Sequence, residues 1–146
     1  KFFFFSFYIT LFVVILHFLF SVFILPCGAL SIIYGNVLGL SNGIFFSFTI
    51  SFLCTILTFY LAQTKFNPFL FYNLERCKSF IIKNVHKRES TIIILSFLNP
   101  LFPGSSLGYV FGLIKINKIK FFMLSFIGLI PLNFIMVLIG HSLIGI

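Results

Sequence analysis

Aspartate and tryptophan are absent from this chain, and Glu75 and Glu89 are its only acidic residues among 146. Charged residues make up 8% of the chain, against 60% hydrophobic residues and a mean hydropathy of +1.20. That leaves too little polar surface to cover a soluble globule. The missing aspartate removes the third member of a Ser-His-Asp arrangement. The missing tryptophan leaves Tyr8, Tyr60, Tyr72 and Tyr109 as candidates for an interfacial aromatic belt. Cysteine is sparse: Cys27, Cys54 and Cys77 lack the paired spacing of a zinc site or disulfide framework. They read as small apolar residues, and no metal or cofactor is expected.

What the chain has instead is long uncharged runs. From Phe2 to Thr64 there are 63 residues without Lys, Arg, Asp or Glu, several times shorter in requirement being the roughly 20 apolar residues that cross a bilayer. Ser90 to Ile114 and Phe121 to Ile146 are two more such runs, so every charge falls between them or at Lys1. One membrane domain over 1–146 is expected: a first hairpin and spanning helix in 1–64, an amphipathic cytoplasmic segment in 65–89, and a second hairpin and closing helix in 90–146. The start at Lys1, with apolar residues following at once, suggests a chain truncated at its N-terminus. Lys1 to Gly28 could alternatively be a secretory signal, but its apolar run to Leu25 exceeds the usual core of about 7–15 residues.

Two places in these runs look like helix breaks. Pro26 precedes Tyr34-Gly35 at the same distance as Pro103 precedes Phe111-Gly112, and a shift of 77 residues superposes the two sets. Proline removes a backbone donor and clashes with the preceding turn, so each copy marks a helix that stops and restarts. Pro26 to Asn42 is too short to span, whereas Ile44 to Ala62, entered through Ser41-Asn42-Gly43, gives a spanning helix. Gly35, Gly39 and Gly43 are spaced by four, as are Gly104, Gly108 and Gly112. Such bare stripes let helices approach closely. The expected tips and breaks are Pro26, Gly28, Gly35, Gly39, Asn99, Pro100, Pro103, Gly104, Gly108 and Gly112.

Charge placement gives these breaks a direction. Lys65 to Glu89 holds six basic and two acidic residues, and Lys115 to Lys120 is basic as well. Basic loops stay on the cytoplasmic side, so the intervening Ser90 to Ile114 returns to the side it left. With Asn99, Pro100 and Pro103 near its middle, it reads as a re-entrant hairpin. The hairpin tipped by Pro26 then enters from the opposite face. The predicted fold is an all-α integral membrane protein, an inverted repeat of two re-entrant helical hairpins and spanning helices. Within 65–89, Asn67-Pro68 reads as a helix start. Leu70, Leu74, Cys77, Ile81 and Val85 share one face of that helix. Arg76, Lys83, Lys87 and Arg88 are its interfacial basic residues, either fixing orientation or gathering anionic headgroups. Membrane boundaries account for the net charge of +8, and nucleic acid is not an expected partner.

The polar groups near the breaks are Asn36 and Ser31 in the first hairpin and Asn99, Ser105, Ser106 and Tyr109 in the second. They could line a headgroup path, or cap broken helix ends and bond the carbonyls freed by proline. Gly104-Ser105-Ser106-Leu107-Gly108 matches G-x-S-x-G, which raises an intramembrane serine hydrolase using Ser106 and His141 as a remote alternative. A nucleophile elbow needs a preceding strand, and Pro100 and Pro103 stand there instead, so no enzyme is expected.

Leu25-Pro26, Tyr34-Gly35, Leu38-Gly39 and Gly43, then Asn99-Pro100-Leu101-Phe102-Pro103, Tyr109-Val110-Phe111-Gly112-Leu113, Gly128 and Pro131, resemble in order and spacing the DedA superfamily. This is also called the VTT-domain or SNARE-associated Golgi protein family, and the pattern is most similar to its TVP-like branch. The resemblance implies two membrane-embedded hairpins meeting near the midplane, in a bacterial cytoplasmic membrane. It also implies movement of phospholipid or isoprenoid-phosphate headgroups between leaflets, with membrane lipids as partners and homo-oligomerisation left open. Two departures stand out. Phe97 occupies the position where the family often has arginine, and neither hairpin contains Asp or Glu. Energy-independent scrambling is therefore more natural than proton coupling, and the rival class is a non-transporting membrane scaffold or assembly factor.

Overall fold

The computed structural model describes residues 2–23, 25, 27–64, 90–99, 104–114 and 116–143, with side chains from residue 7 onward. The prolines Pro26, Pro100 and Pro103, and the whole basic segment 65–89 with Arg76, Lys83, Lys87 and Arg88, lie outside the described residues. All regular secondary structure among the described residues is α-helical: α1 (Phe2–Val22), α2 (Gly28–Gln63), α3 (90–98), α4 (Gly104–Leu113) and α5 (Lys118–Ser142). The predicted all-helical class therefore holds. A helix satisfies its backbone polar groups internally, which is what a chain this apolar requires in lipid.

Helix α2 is folded back on itself. At Gly39 the backbone takes φ 77° and ψ 179°, a combination open essentially only to glycine. The reversal brings Gly43 against the carbonyl of Tyr34 and the Cα of Gly35. The reversal falls at Gly39, which the sequence named among the breaks, ahead of Ser41-Asn42-Gly43, through which the spanning helix was expected to be entered. Those three residues stay helical, because Gly43 is needed where the two limbs touch. The first limb, 28–38, is about 16 Å long and α4 about 15 Å, half a bilayer each. The second limb of α2 and α5, about 36 and 37 Å long, can cross a bilayer of roughly 30 Å hydrocarbon thickness.

The pairing of these elements follows from their contacts. Phe59 stacks on Phe121 at 4.8 Å, Phe52 meets Phe126 at 5.4 Å, and Ser47 bonds Asn133. The second limb of α2 and α5 are therefore antiparallel. On α4, Gly104 faces Thr55, Gly108 faces Thr55, Thr58 and Phe59, and Gly112 faces Phe59 and Ala62, so α4 runs parallel to the end of α2. On the first limb of α2, Gly28 faces Met136, Ile32 meets Gly140, and Gly35 lies against Val137 and His141, so this limb runs parallel to the end of α5. Each short helix thus packs on the long helix of the other half, and the two short helices run in opposite directions. Asn117 caps α5, accepting from the N–H groups of Ile119 (3.0 Å) and Lys120 (3.3 Å) and satisfying two donors that the first turn leaves free.

Polarity is distributed inside out. Ser21, Ser47, Thr55, Thr58 and Ser125 are fully buried, while Phe23, Phe45 and Ile119 are each more than 65% exposed. The apolar core joins Phe59, Ile93, Phe97, Phe111, Phe121 and Leu129 across α2, α3, α4 and α5. A smaller cluster of Val13, Leu30 and Tyr34 fixes α1 to the first limb of α2.

Candidate functional site at the helix breaks

The two breaks meet in one place. The thiol of Cys27, which precedes α2, lies 4.0 Å from the hydroxyl of Ser105 in the first turn of α4 and 3.6 Å from Ser21 on α1. A second link crosses beside it, where the Tyr109 hydroxyl donates to the Val22 carbonyl at 3.2 Å. That carbonyl belongs to the last turn of α1, which has no intrahelical donor left. Tyr109 therefore closes a helix end.

Beside this junction lies a cavity of about 280 Å³, lined from α1 by His17 and Ser21, from α2 by Gly28, Ser31, Ser51 and Cys54, from α4 by Gly104 and Ser105, and from α5 by Leu132, Asn133 and Met136. Asn133 organises one wall. Its Oδ1 accepts from Ser47 at 2.7 Å, Ser51 at 3.1 Å and Ser31 at 3.3 Å, and its Nδ2 donates to the Leu129 carbonyl at 2.9 Å. Both limbs of α2 are thereby tied to α5 through one side chain. His17 is 1% exposed, and its Nδ1 has no hydrogen-bond partner among the described residues. Its ring stacks on that of Tyr34 at 6.0 Å, and the buried Tyr34 hydroxyl is likewise unpartnered. Two orphaned polar atoms on adjacent rings are unusual in a protein interior, where buried polar groups are normally bonded.

The residues expected at the breaks are placed unevenly around this cavity. Gly28, Gly104, Ser105 and Ser31 line it. Gly35, Gly108 and Gly112 sit at backbone contacts instead, and Gly39 makes the reversal of α2. Asn36 is exposed, and Ser106 and Asn99 are half-buried outside the lining. Adjacent α4 residues point about 100° apart, which is why Ser105 turns inward where Ser106 does not. His141 is exposed near the end of α5 beside Gly35, while α4 begins beside Leu129. The twelve helical steps from Leu129 to His141 span about 18 Å, so the geometry does not pair His141 with Ser106.

Sequence reasoning did not single out Asn133, Ser47, Ser51 or Ser21. The available signal was position: an amide near the middle of an apolar spanning helix is costly in lipid unless it faces a partner or a cavity. Ser47 and Ser51, four apart, form a matching polar stripe.

Residues 5–142 match the VTT domain. The chain belongs to the VTT-domain family. This VTT-domain protein is similar to YqeD of Bacillus subtilis (strain 168), described as uncharacterized, with 30% identity over 121 residues. The alignment covers 82% of this chain and 58% of YqeD, so the chain spans a little over half the length of that relative. No solved structure matches it. Family and inside-out polarity together make this VTT-domain protein an integral membrane protein.

Proposed function

We propose that this VTT-domain protein lets phospholipid or isoprenoid-phosphate headgroups pass between the leaflets, with the cavity where the two breaks meet as the polar part of the route. The observation that carries the reading is that cavity: hydroxyls, thiols and an imidazole gathered inside a molecule whose outer surface is apolar. Lipid tails could stay in the hydrocarbon while a headgroup crosses among polar side chains. The opposed short helices support an inverted repeat, with the two hairpins entering from opposite faces and 65–89 and 115–120 on the cytoplasmic side of a bacterial membrane. No Asp or Glu occurs in either hairpin, which favours energy-independent scrambling. The proposed partners are the lipids themselves, and the reading assigns the protein no catalytic role.

The scaffold reading is favoured by a different observation. Gly35, Gly108 and Gly112 place short helices directly on the backbones of long ones, a dry packing that a static assembly factor would also use. Reconstitution into vesicles carrying reducible fluorescent lipids separates the two. Transport predicts that an impermeant reductant bleaches well beyond the outer-leaflet half, whereas bleaching that matches empty vesicles would leave the scaffold.

A further inference from the structure

The two short helices begin at the same cavity. Gly28 and Ala29 open α2, Gly104 and Ser105 open α4, and all four line the space. No side chain caps the first turn of α2: its N-cap residue Cys27 makes no capping bond. Instead the Cys27 thiol reaches back to the Leu25 carbonyl at 3.3 Å. A helix start presents free N–H groups and about half a positive elementary charge, so two starts aimed at one space roughly offset one negative charge. The short helices contain 11 and 10 residues, long enough for that field to develop. An independent observation points the same way. His17, 1% exposed, lines the cavity with Nδ1 unpartnered, as a side chain waiting for a bonding group would be.

We propose that this cavity is an anion site for a phosphate group, held by the opposed N-termini of α2 and α4, the Ser105 hydroxyl and the His17 imidazole. The proposal rests on the headgroup-passage reading and names the part of the headgroup that is recognised. Size agrees: about 280 Å³ lies at the small end of ligand pockets, enough for a headgroup fragment and too little for diacyl tails. No Lys, Arg, Asp or Glu is among the described residues that line the cavity. Among the described residues, Tyr34 stacks on the His17 ring, and Cys27 and Cys54 share its lining. The imidazole Nδ1 is a buried side-chain nitrogen of the lining, unpartnered among the described residues and available to donate to the anion as its N–H tautomer.

The test uses the full chain in nonionic detergent, with its thermal unfolding midpoint followed by circular dichroism against three probes. These are inorganic phosphate, dioctanoyl phosphatidylglycerol, which carries one negative charge, and dioctanoylglycerol, which has the tails alone. A saturable rise with phosphatidylglycerol and none with dioctanoylglycerol is expected. A matching rise with inorganic phosphate shows that free phosphate is accepted too, and its absence shows that the anion is held only as part of a lipid. His17→Gln raises the half-saturating phosphatidylglycerol concentration about tenfold, the worth of one hydrogen bond to a charged group. Should His17→Gln not fold, Ser105→Ala supplies the same comparison with a several-fold loss. No rise with either anion, an equal rise with dioctanoylglycerol, or unchanged affinity in the variant that folds overturns the site. The vesicle assay judges the other reading separately: lipid exchange without anion binding removes this site and keeps transport, and anion binding without exchange does the reverse.

Discussion

Ser47 on the second limb of α2 donates its hydroxyl to Asn133 Oδ1 on α5 at 2.7 Å, and both residues are buried between the long helices. Ser51 and Ser31 share that acceptor at 3.1 and 3.3 Å. Hydrogen bonds between membrane helices average about 0.6 kcal/mol, so losing three together costs roughly 2 kcal/mol. Asn133→Ala should lower unfolding stability in mixed micelles by about that amount. Ser47→Ala should cost the most among the single serine replacements and Ser31→Ala the least, following the distances. A loss no larger than that from Ser142→Ala, whose hydroxyl bonds only its own helix, would show that Asn133 ties nothing together.

The glycine contacts predict a ranking by what an added methyl would strike. A Cβ on Gly35 meets the Val137 backbone, and one on Gly108 meets Thr58 together with the backbone of Thr55 and Phe59. On Gly28 it meets only the flexible end of Met136 at 3.8 Å. Overpacking against backbone costs about 1–3 kcal/mol or more. Gly35→Ala and Gly108→Ala should each lower the unfolding midpoint clearly, and Gly28→Ala should leave it near the parent. The three variants behaving alike would contradict the close approach.

Gly39 tests a different mechanism, since a Cβ there meets nothing within 4 Å. Its φ of 77° with ψ of 179° costs a side-chain-bearing residue about 1–3 kcal/mol. Gly39→Ala should therefore destabilise despite the open space, measured by the same unfolding titration. An unchanged stability would place the reversal of α2 elsewhere.

Phe97 fills a slot between Gly128, Gly104 and the Phe121 ring, 6.0 Å away. It is 1% exposed, where the family resemblance anticipates arginine. Phe97→Ala should cost about 3–5 kcal/mol through the void it leaves. Phe97→Arg should be worse, because no described residue around the slot is acidic and able to pair with the charge. Near-parent stability of the arginine variant would mean that the slot opens to water or to an anion.

Legibility differed between backbone and side chains. Proline and glycine act locally, so their spacing disclosed the short helices and the break before α2 without tertiary information. Gly35, Gly108 and Gly112 were expected at breaks, and their spacing by four also allowed close packing, which is where they sit. Gly39 was one of several glycines named as breaks, and which of them makes the reversal is decided only by the Gly43 contact with Tyr34. The cavity was not legible. Its walls come from α1, both short helices and both long ones, and no local pattern brings His17 to Ser105 or Asn133 to Ser31. Asn36 looked equivalent to Ser31 in sequence, yet five positions along a helix turn it to the exposed side.

The opposed short helices also fix which ends share a face. Because α4 is parallel to the second limb of α2 and antiparallel to α5, the end of α2 and the start of α5 lie at one end of the bundle. If α3 and α4 form a hairpin, the start of α3 joins them, while the end of α5 lies about 37 Å away along its axis. Single cysteines at Gln63, Ser90, Lys118 and Ser142, all exposed positions, test this in a background with Cys27, Cys54 and Cys77 changed to serine. With a membrane-impermeant maleimide on sealed inside-out vesicles, the first three should label and Ser142→Cys should not, since the basic loops belong to the cytoplasmic face. Right-side-out vesicles should reverse the pattern. Labelling of positions 90 and 118 from opposite faces would make 90–114 a simple crossing, and the inverted repeat would fall with its second hairpin.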